Sequence, residues 1–156
     1  MKTYLLAIGK LRPHFRAACD DYLRRLRHYG PMEERELREA GRVAGPEARK
    51  REETTRLAGA VPDGATRVLL DRRGDPWSSE EVARRLDRWR QEAATPVLLI
   101  GGAFGVDPEG LGVVRHRWSL GPLTLPHELA RVVVLEQWYR AWTILRGEPY
   151  HKGGTA

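Results

Sequence analysis

The sequence predicts an α/β fold: a mainly parallel sheet flanked by helices. Three observations carry this expectation. TYLLAI (3–8), RVLLD (67–71) and PVLLI (96–100) are short runs without polar alternation, as strands covered on both faces require. Amphipathic segments with helical spacing alternate with them, and Gly and Pro punctuate the boundaries. At 156 residues the chain has room for one full core, so 1–156 is read as a single domain.

Taken in order, TYLLAI is a buried first strand ended by Gly9. After Pro13, Phe15, Ala18, Cys19, Tyr22, Leu23 and Leu26 recur at helical spacing, with Asp20, Asp21, Arg24, Arg25 and Arg27 between them, giving a helix with a largely basic outer face. MEERELRE (32–39) reads as a short edge strand, because Met32 and Leu37 are too sparse for a core helix. Residues 38–46 read as an exposed basic loop, and Pro46 opens a charged helix running to about Ala60. RVLLD is the next strand, with RRGDP as its turn. Ser78 and Glu81 form a capping box for a helix whose inner face is Val82, Leu86 and Trp89. PVLLI then enters a glycine turn, after which Asp107 and Pro108 have the character of an N-cap and a first helical residue. RWSL (117–120) is a further short strand. Pro126 starts a long helix to about Arg146, closed by Gly147 and Pro149. Its apolar residues occupy more than one stripe, which calls for a second partner and points to a homodimer.

Charge and composition narrow the function classes. The net charge is +6, and the surplus is uneven: residues 1–60 carry 14 Lys and Arg against 9 Asp and Glu, residues 61–156 only 13 against 12. A polyanion facing the first part of the chain would explain this. So would genome composition, since 23 of the 27 basic residues are Arg, and charge alone leaves the partner open. A single cysteine, Cys19, excludes an internal disulfide and suits a reducing compartment, where it reads as a small buried hydrophobe. The five histidines lack ligand spacing, so no metal is expected. No apolar run approaches membrane length and the N-terminus lacks a signal-peptide pattern; a soluble, cytoplasmic protein without a membrane partner is expected.

The turn in PVLLIGGAFGVDPEG (96–110) invites comparison with known phosphate cradles. A dinucleotide fingerprint needs G-x-G-x-x-G after the first strand, whereas Gly101, Gly102 and Gly105 follow a late one. A P-loop would end in Gly-Lys-Ser/Thr, where Val106 and Asp107 stand. No G-x-S-x-G elbow exists for acyl transfer. The remaining readings are a ligand turn at the carboxyl end of a sheet strand, or glycines that only turn the chain.

Four segments decide between them: LLAIGKL (5–11), LLDRRGDPWSSEE (69–81), LLIGGAFGV (98–106), and WSLGPLTLPHELARVVVLEQWYRAW (118–142) with GEPYHK (147–152). Together they resemble the bacterial SPOUT-class methyltransferases that act on N3 of a pseudouridine in 23S rRNA of the large ribosomal subunit. The resemblance covers essentially the whole chain in order, and its C-terminal motifs are the most specific. It implies an α/β fold whose part from about 67–152 is threaded as a deep trefoil knot, a rare exception to the rule against knots. It also implies a homodimer, S-adenosyl-L-methionine held in the knot, and the assembled ribosome as substrate.

By matching motif, the resemblance places the cofactor pocket at Leu70, Gly101, and Leu120, Gly121, Pro122, Leu123, Thr124 and Leu125. Such positions make physical sense: leucines sandwich an adenine, main-chain groups read its edge, and glycine permits close approach. The absence of Lys and Arg among them suits a cationic sulfonium. The resemblance further implies that Tyr150, His151 and Lys152 act at the target base, as a stacking ring, a titratable group and a cation able to stabilise a developing imide anion. His127 and Arg131 share one face of the last helix, and Glu136 and Arg140 pair on the opposite one. His127, Arg131 and Arg140 are expected at the RNA or the active site, Glu136 in a structural role. The first helix and residues 38–51 are expected at RNA phosphates. Two departures stand out: Gly121 where relatives often have Ser, and a four-residue extension, Gly153 to Ala156. Competing classes are a non-catalytic RNA-binding module of the same fold and an ATP- or NAD-dependent enzyme.

Overall fold

The computed structural model describes residues 1–42 and 45–153. Strands β1 (Thr3–Ile8), β2 (Met32–Leu37), β3 (Thr66–Asp75), β4 (Pro96–Ile100) and β5 (His116–Trp118) form one parallel sheet in the order β2-β1-β4-β3-β5. Between them run helices α1 (Pro13–Leu26), α2 (Pro46–Ala60) and α3 (Ser79–Gln91) and a short 3-10 helix at Pro108–Leu111; α4 (His127–Leu145) follows β5. The period-two alternation of the strands sorts the core into two layers. Leu5, Ala7, Val68, Leu98 and Ile100 face one side and pack with α1, α3 and α4. Leu6, Ile8, Leu69, Val97 and Leu99 face the other, with Leu57 of α2 and Leu111.

The Ser78 hydroxyl accepts the Glu81 N–H at 3.1 Å, starting α3. The Glu81 carboxylate turns to Arg85, 2.9 Å away. Cys19 lies fully buried, and burial pushes its thiol up to about 11, far from a thiolate at neutral pH.

One expectation needs correction. The segment read as a turn, RRGD, belongs to β3, which bulges between two pairings of Leu70 and of Asp75 with the same residue, Trp118. Gly74 allows that close passage, since a Cβ there would run into the main chain at Arg117. The two-sided apolarity of α4 is met largely within the chain, because α4 packs against both α1 and α3. Only Leu129 among its large apolar residues stays exposed, at 37%.

Candidate active site

Parallel strands deliver their carboxyl ends to one edge of the sheet, where ligands of open α/β folds usually bind. Here β4 and β5 end in Ile100 and Trp118 beside Leu70, where β3 enters its bulge, and the segments that follow these three residues enclose a cleft of about 600 Å³. That volume suits a ligand of nucleoside size. The floor is apolar, from Leu70, Ile100 and Trp118; one wall is the glycine turn and the other is loop 119–125.

The glycine turn is held from outside the cleft. The Gly105 N–H donates to the Gly102 carbonyl at 3.0 Å, and Gly105 has φ +75°, where glycine is favoured. The Asp107 N–H donates to the Thr54 hydroxyl at 3.0 Å, and that hydroxyl donates in turn to the Lys50 carbonyl at 2.7 Å. Asp107 caps the 3-10 helix by accepting the Glu109 N–H at 3.1 Å. Gly101 answers a requirement of the turn itself: a Cβ would sit 2.9 Å from Val106 Cγ1 and 3.0 Å from the Gly105 carbonyl carbon. Behind Gly102 lies Glu53, 1% exposed, which accepts the Ala40 N–H at 3.0 Å through Oε2.

The opposite wall is tied to the β3 bulge. The Arg72 guanidinium donates to Thr124 Oγ1 at 2.7 Å, and the Ser119 N–H donates to the Asp75 carbonyl at 2.9 Å. Arg117 donates through Nε to Asp71 Oδ2 at 2.8 Å and through Nη2 to the same oxygen. Partial burial resists ionisation of Asp71, but the Arg73 N–H and the Arg117 guanidinium outweigh it and hold the carboxyl below its usual range.

Leu70, Gly101, Leu120, Gly121, Leu123, Thr124, Leu125 and His127 therefore come together in the cleft, while Pro122 does not line it. Sequence reasoning missed the arginines of this wall, Arg72, Arg73 and Arg117; Lys50, which lines the cleft from α2, falls within the stretch 38–51 expected at RNA phosphates. The signal that could have found the three arginines is RRGDP itself, which reads as a turn only if β3 stops at Asp71.

The remaining residues lie elsewhere. Arg131 turns inward at 1% exposure, bonding Glu36 at 2.6 Å and the Gly9 carbonyl at 2.9 Å; expected at RNA or the active site, it instead locks α4 to the ends of β1 and β2. Arg140 is held by Glu136 at 2.6 Å. Tyr150 donates to Glu136 at 3.2 Å, packs edge-on against Tyr139 at 4.7 Å and approaches the Tyr22 hydroxyl at 3.5 Å. Burial, the Tyr22 hydroxyl and the Glu136 charge push the Tyr150 phenol well above its ordinary value, so it stays protonated at neutral pH. His151 is half-buried, its Nδ1 without a partner among the described residues, and Lys152 is exposed. Glu136 is nine residues past His127, about 14 Å along α4 and half a turn around it, so this cluster lies away from the cleft of its own chain.

Of the stretch 38–51, residues 43–44 lie outside the described residues, as do 154–156 of the C-terminal extension. The basic face of α1 is largely neutralised: Arg16 pairs with Asp20, Glu34 and Glu36, and Arg24 and Arg25 with Asp21. Among the described residues no group of His, Cys, Asp or Glu could hold a metal ion, and no helix is long and apolar enough to cross a membrane.

Comparison with known proteins gives this arrangement its context. A family model described as "Predicted SPOUT methyltransferase" matches residues 1–151. Ribosomal RNA large subunit methyltransferase H of Pseudomonas aeruginosa (strain LESB58) is 42% identical over 155 residues, covering 97% of this chain and 100% of that protein. The protein of the same name from Xylella fastidiosa (strain M12) is 42% identical over 156 residues, covering 98% and 99%. The crystal structure of a methylase family protein from Neisseria gonorrhoeae aligns with a TM-score of 0.50 at 14% identity, over 88% of this chain and 81% of that one, a likeness of fold alone. With a family model spanning all but the last five residues and relatives matched from end to end, the chain belongs to the SPOUT methyltransferase family.

Proposed function

We propose that this methyltransferase transfers a methyl group from S-adenosyl-L-methionine to N3 of a pseudouridine in 23S rRNA of the large ribosomal subunit, on the assembled ribosome. It does so in the cytoplasm as a homodimer of single-domain chains, each knotted through about 67–152. The observation that carries this reading is the meeting of three distant segments, at Leu70, Gly101 and Leu120–Leu125, in one cleft of a chain from this family.

The residues present fit the cofactor. Leu70, Leu120, Leu123 and Leu125 offer apolar faces to an adenine, while the main chain of the glycine turn and of loop 119–125 presents N–H and C=O groups to its edge. When bound, S-adenosyl-L-methionine supplies an electrophilic methyl group on a positively charged sulfur. The chain's own task is to orient the base and favour loss of its N3 proton. Tyr150, protonated, stacks on the base or donates to it. His151 takes or holds the proton, and Lys152 faces the carbonyl oxygens where negative charge develops. Because Tyr150, His151 and Lys152 lie away from their own cleft, they serve the partner subunit's cleft across the dimer, with Arg140 beside them. His127, at the cleft, belongs to the chain's own site.

The test is incubation of the purified protein and isotopically labelled S-adenosyl-L-methionine with ribosomes, large subunits or free rRNA from a strain lacking the modification. Label is expected on ribosomes, at a position that blocks reverse transcription because N3 lies on the pairing edge. Tight cofactor binding without labelling of any of the three would overturn the reading.

A further inference from the structure

The β3 bulge presents charge that binding the methyl donor does not require. Between the two pairings with Trp118, residues Asp71, Arg72 and Arg73 leave the ladder and turn into the cleft, and bulges beside functional sites often re-aim side chains in this way. The charges there do not cancel. Asp71 neutralises Arg117. Arg72 bonds only a neutral hydroxyl, that of Thr124, and neither Arg73 nor Lys50 meets a carboxylate among the described residues. Three cations from two separate elements, α2 and β3, thus surround the mouth of a cleft whose proposed ligand is itself cationic at the reacting sulfur. Alongside them Phe104 is 38% exposed on the glycine turn, with the Arg49 guanidinium 4.5 Å above its ring, and Leu123 is 72% exposed on the facing loop. A rim with uncompensated cations and a solvent-facing ring matches a nucleic acid strand, which needs phosphate contacts for placement and a surface for a base. The basic face of α1, by contrast, spends most of its charge on its own carboxylates.

We infer that Arg72 and Arg73, with Lys50 across the cleft, form a clamp for the RNA phosphates flanking the target nucleotide. This rests on the proposed RNA methylation and adds the residues that place the strand. Arg73 is the sharpest probe, because its side chain is exposed and bonds no other described residue, only its main-chain N–H donating to Asp71 Oδ1.

The experiment compares Arg73→Ala, Arg73→Lys and Lys50→Ala with the unaltered protein in two binding assays: calorimetry with S-adenosyl-L-methionine, and fluorescence anisotropy with an rRNA hairpin across a salt series. Melting temperatures check folding. Each alanine variant is expected to bind RNA roughly tenfold more weakly, with the salt slope reduced by about one, and to keep its cofactor affinity within about twofold. Arg73→Lys is expected to recover most of the RNA affinity. Loss of cofactor affinity with unchanged RNA binding would assign the cations to the cofactor's carboxylate and overturn the clamp. Unchanged binding of both would overturn it as well. Since neither assay needs methyl transfer, an unaltered protein that labels no ribosomes would count against the methylation reading and leave the clamp to be judged separately.

Discussion

The cleft and the C-terminal cluster, both on or beside α4, are built on opposite principles. The cleft is a meeting of loops at two strand ends, with a glycine turn braced by Thr54 and a bulge braced by Thr124. The cluster around Tyr150 is a packing of side chains, with Tyr22, Tyr139, Glu136 and Arg140 closing on one ring. Binding a cofactor calls for exposed backbone and apolar faces, whereas moving a proton calls for polar side chains of fixed orientation. A chain that keeps these two parts on different sides of one helix supports the proposal that they meet in a second copy.

The deepest cut into this comparison is His151→Ala. It should lower turnover by about 10²-fold or more, leaving cofactor affinity within about twofold by calorimetry. Equal loss of both would move His151 into the cleft. Co-expression with Gly101→Val then asks where the two parts meet. If the tail serves the partner's cleft, mixed dimers of the two inactive chains carry one intact site each, and about a quarter of normal activity returns. If the tail serves its own cleft, none does.

Arg131→Met probes what holds the two regions in register. Removing the buried guanidinium from Glu36, which keeps Arg16 and the Leu11 N–H, and from the Gly9 carbonyl should cost on the order of 3 kcal/mol in denaturant unfolding, with no selective effect on cofactor binding. A fully stable variant with impaired RNA binding would restore Arg131 to a direct role. Gly101→Ala is milder: with its Cβ pressed on Val106, the turn must shift, and cofactor affinity should drop about tenfold in calorimetry while RNA-hairpin affinity holds.

The smallest effect expected is a pH dependence at His116, which enters β5 among Trp77 and Trp89. Burial first, then the positive charges of Arg85, Arg115 and Arg88, outweigh Glu92 and hold its pKa below the ordinary value near 6.5. The unfolded chain therefore binds the proton more readily. Stability from this group is complete above pH about 6.5 and declines as pH falls toward the folded-state value. The melting temperature should drop across that window, and His116→Gln should flatten the decline.

What was legible in the sequence was whatever neighbours along the chain decide. The Ser78 cap, the Asp107 cap and the apolar runs of β1 and β4 depend on residues within a few positions, and the elements stand where periodicity put them. Residues 72–75 of β3 were not legible, because their pairing is dictated by Trp118, more than forty residues on. The same holds for Arg131, whose partners Glu36 and Gly9 lie 95 and 122 residues away. As one of an i, i+4 pair with His127 it looked like a surface residue; burial, absent from local spacing, made it a tie. The cleft residues were found through motif resemblance, which supplies long-range proximity that spacing alone cannot.

The strand order also has a consequence for synthesis of the chain. β1 and β2 are adjacent in both sequence and sheet, so their parallel pair can form around α1 while the rest is still being translated. β3 has no such neighbour: it pairs only with β4 and β5, both of which emerge after it. Until residues 96–100 leave the exit tunnel, Val68 and Leu69 wait without a neighbouring strand, and the charged run DRRGD that follows guards an otherwise sticky segment. The arginines we propose for RNA phosphates in the finished molecule would thus flank that segment with charge in the unfinished one.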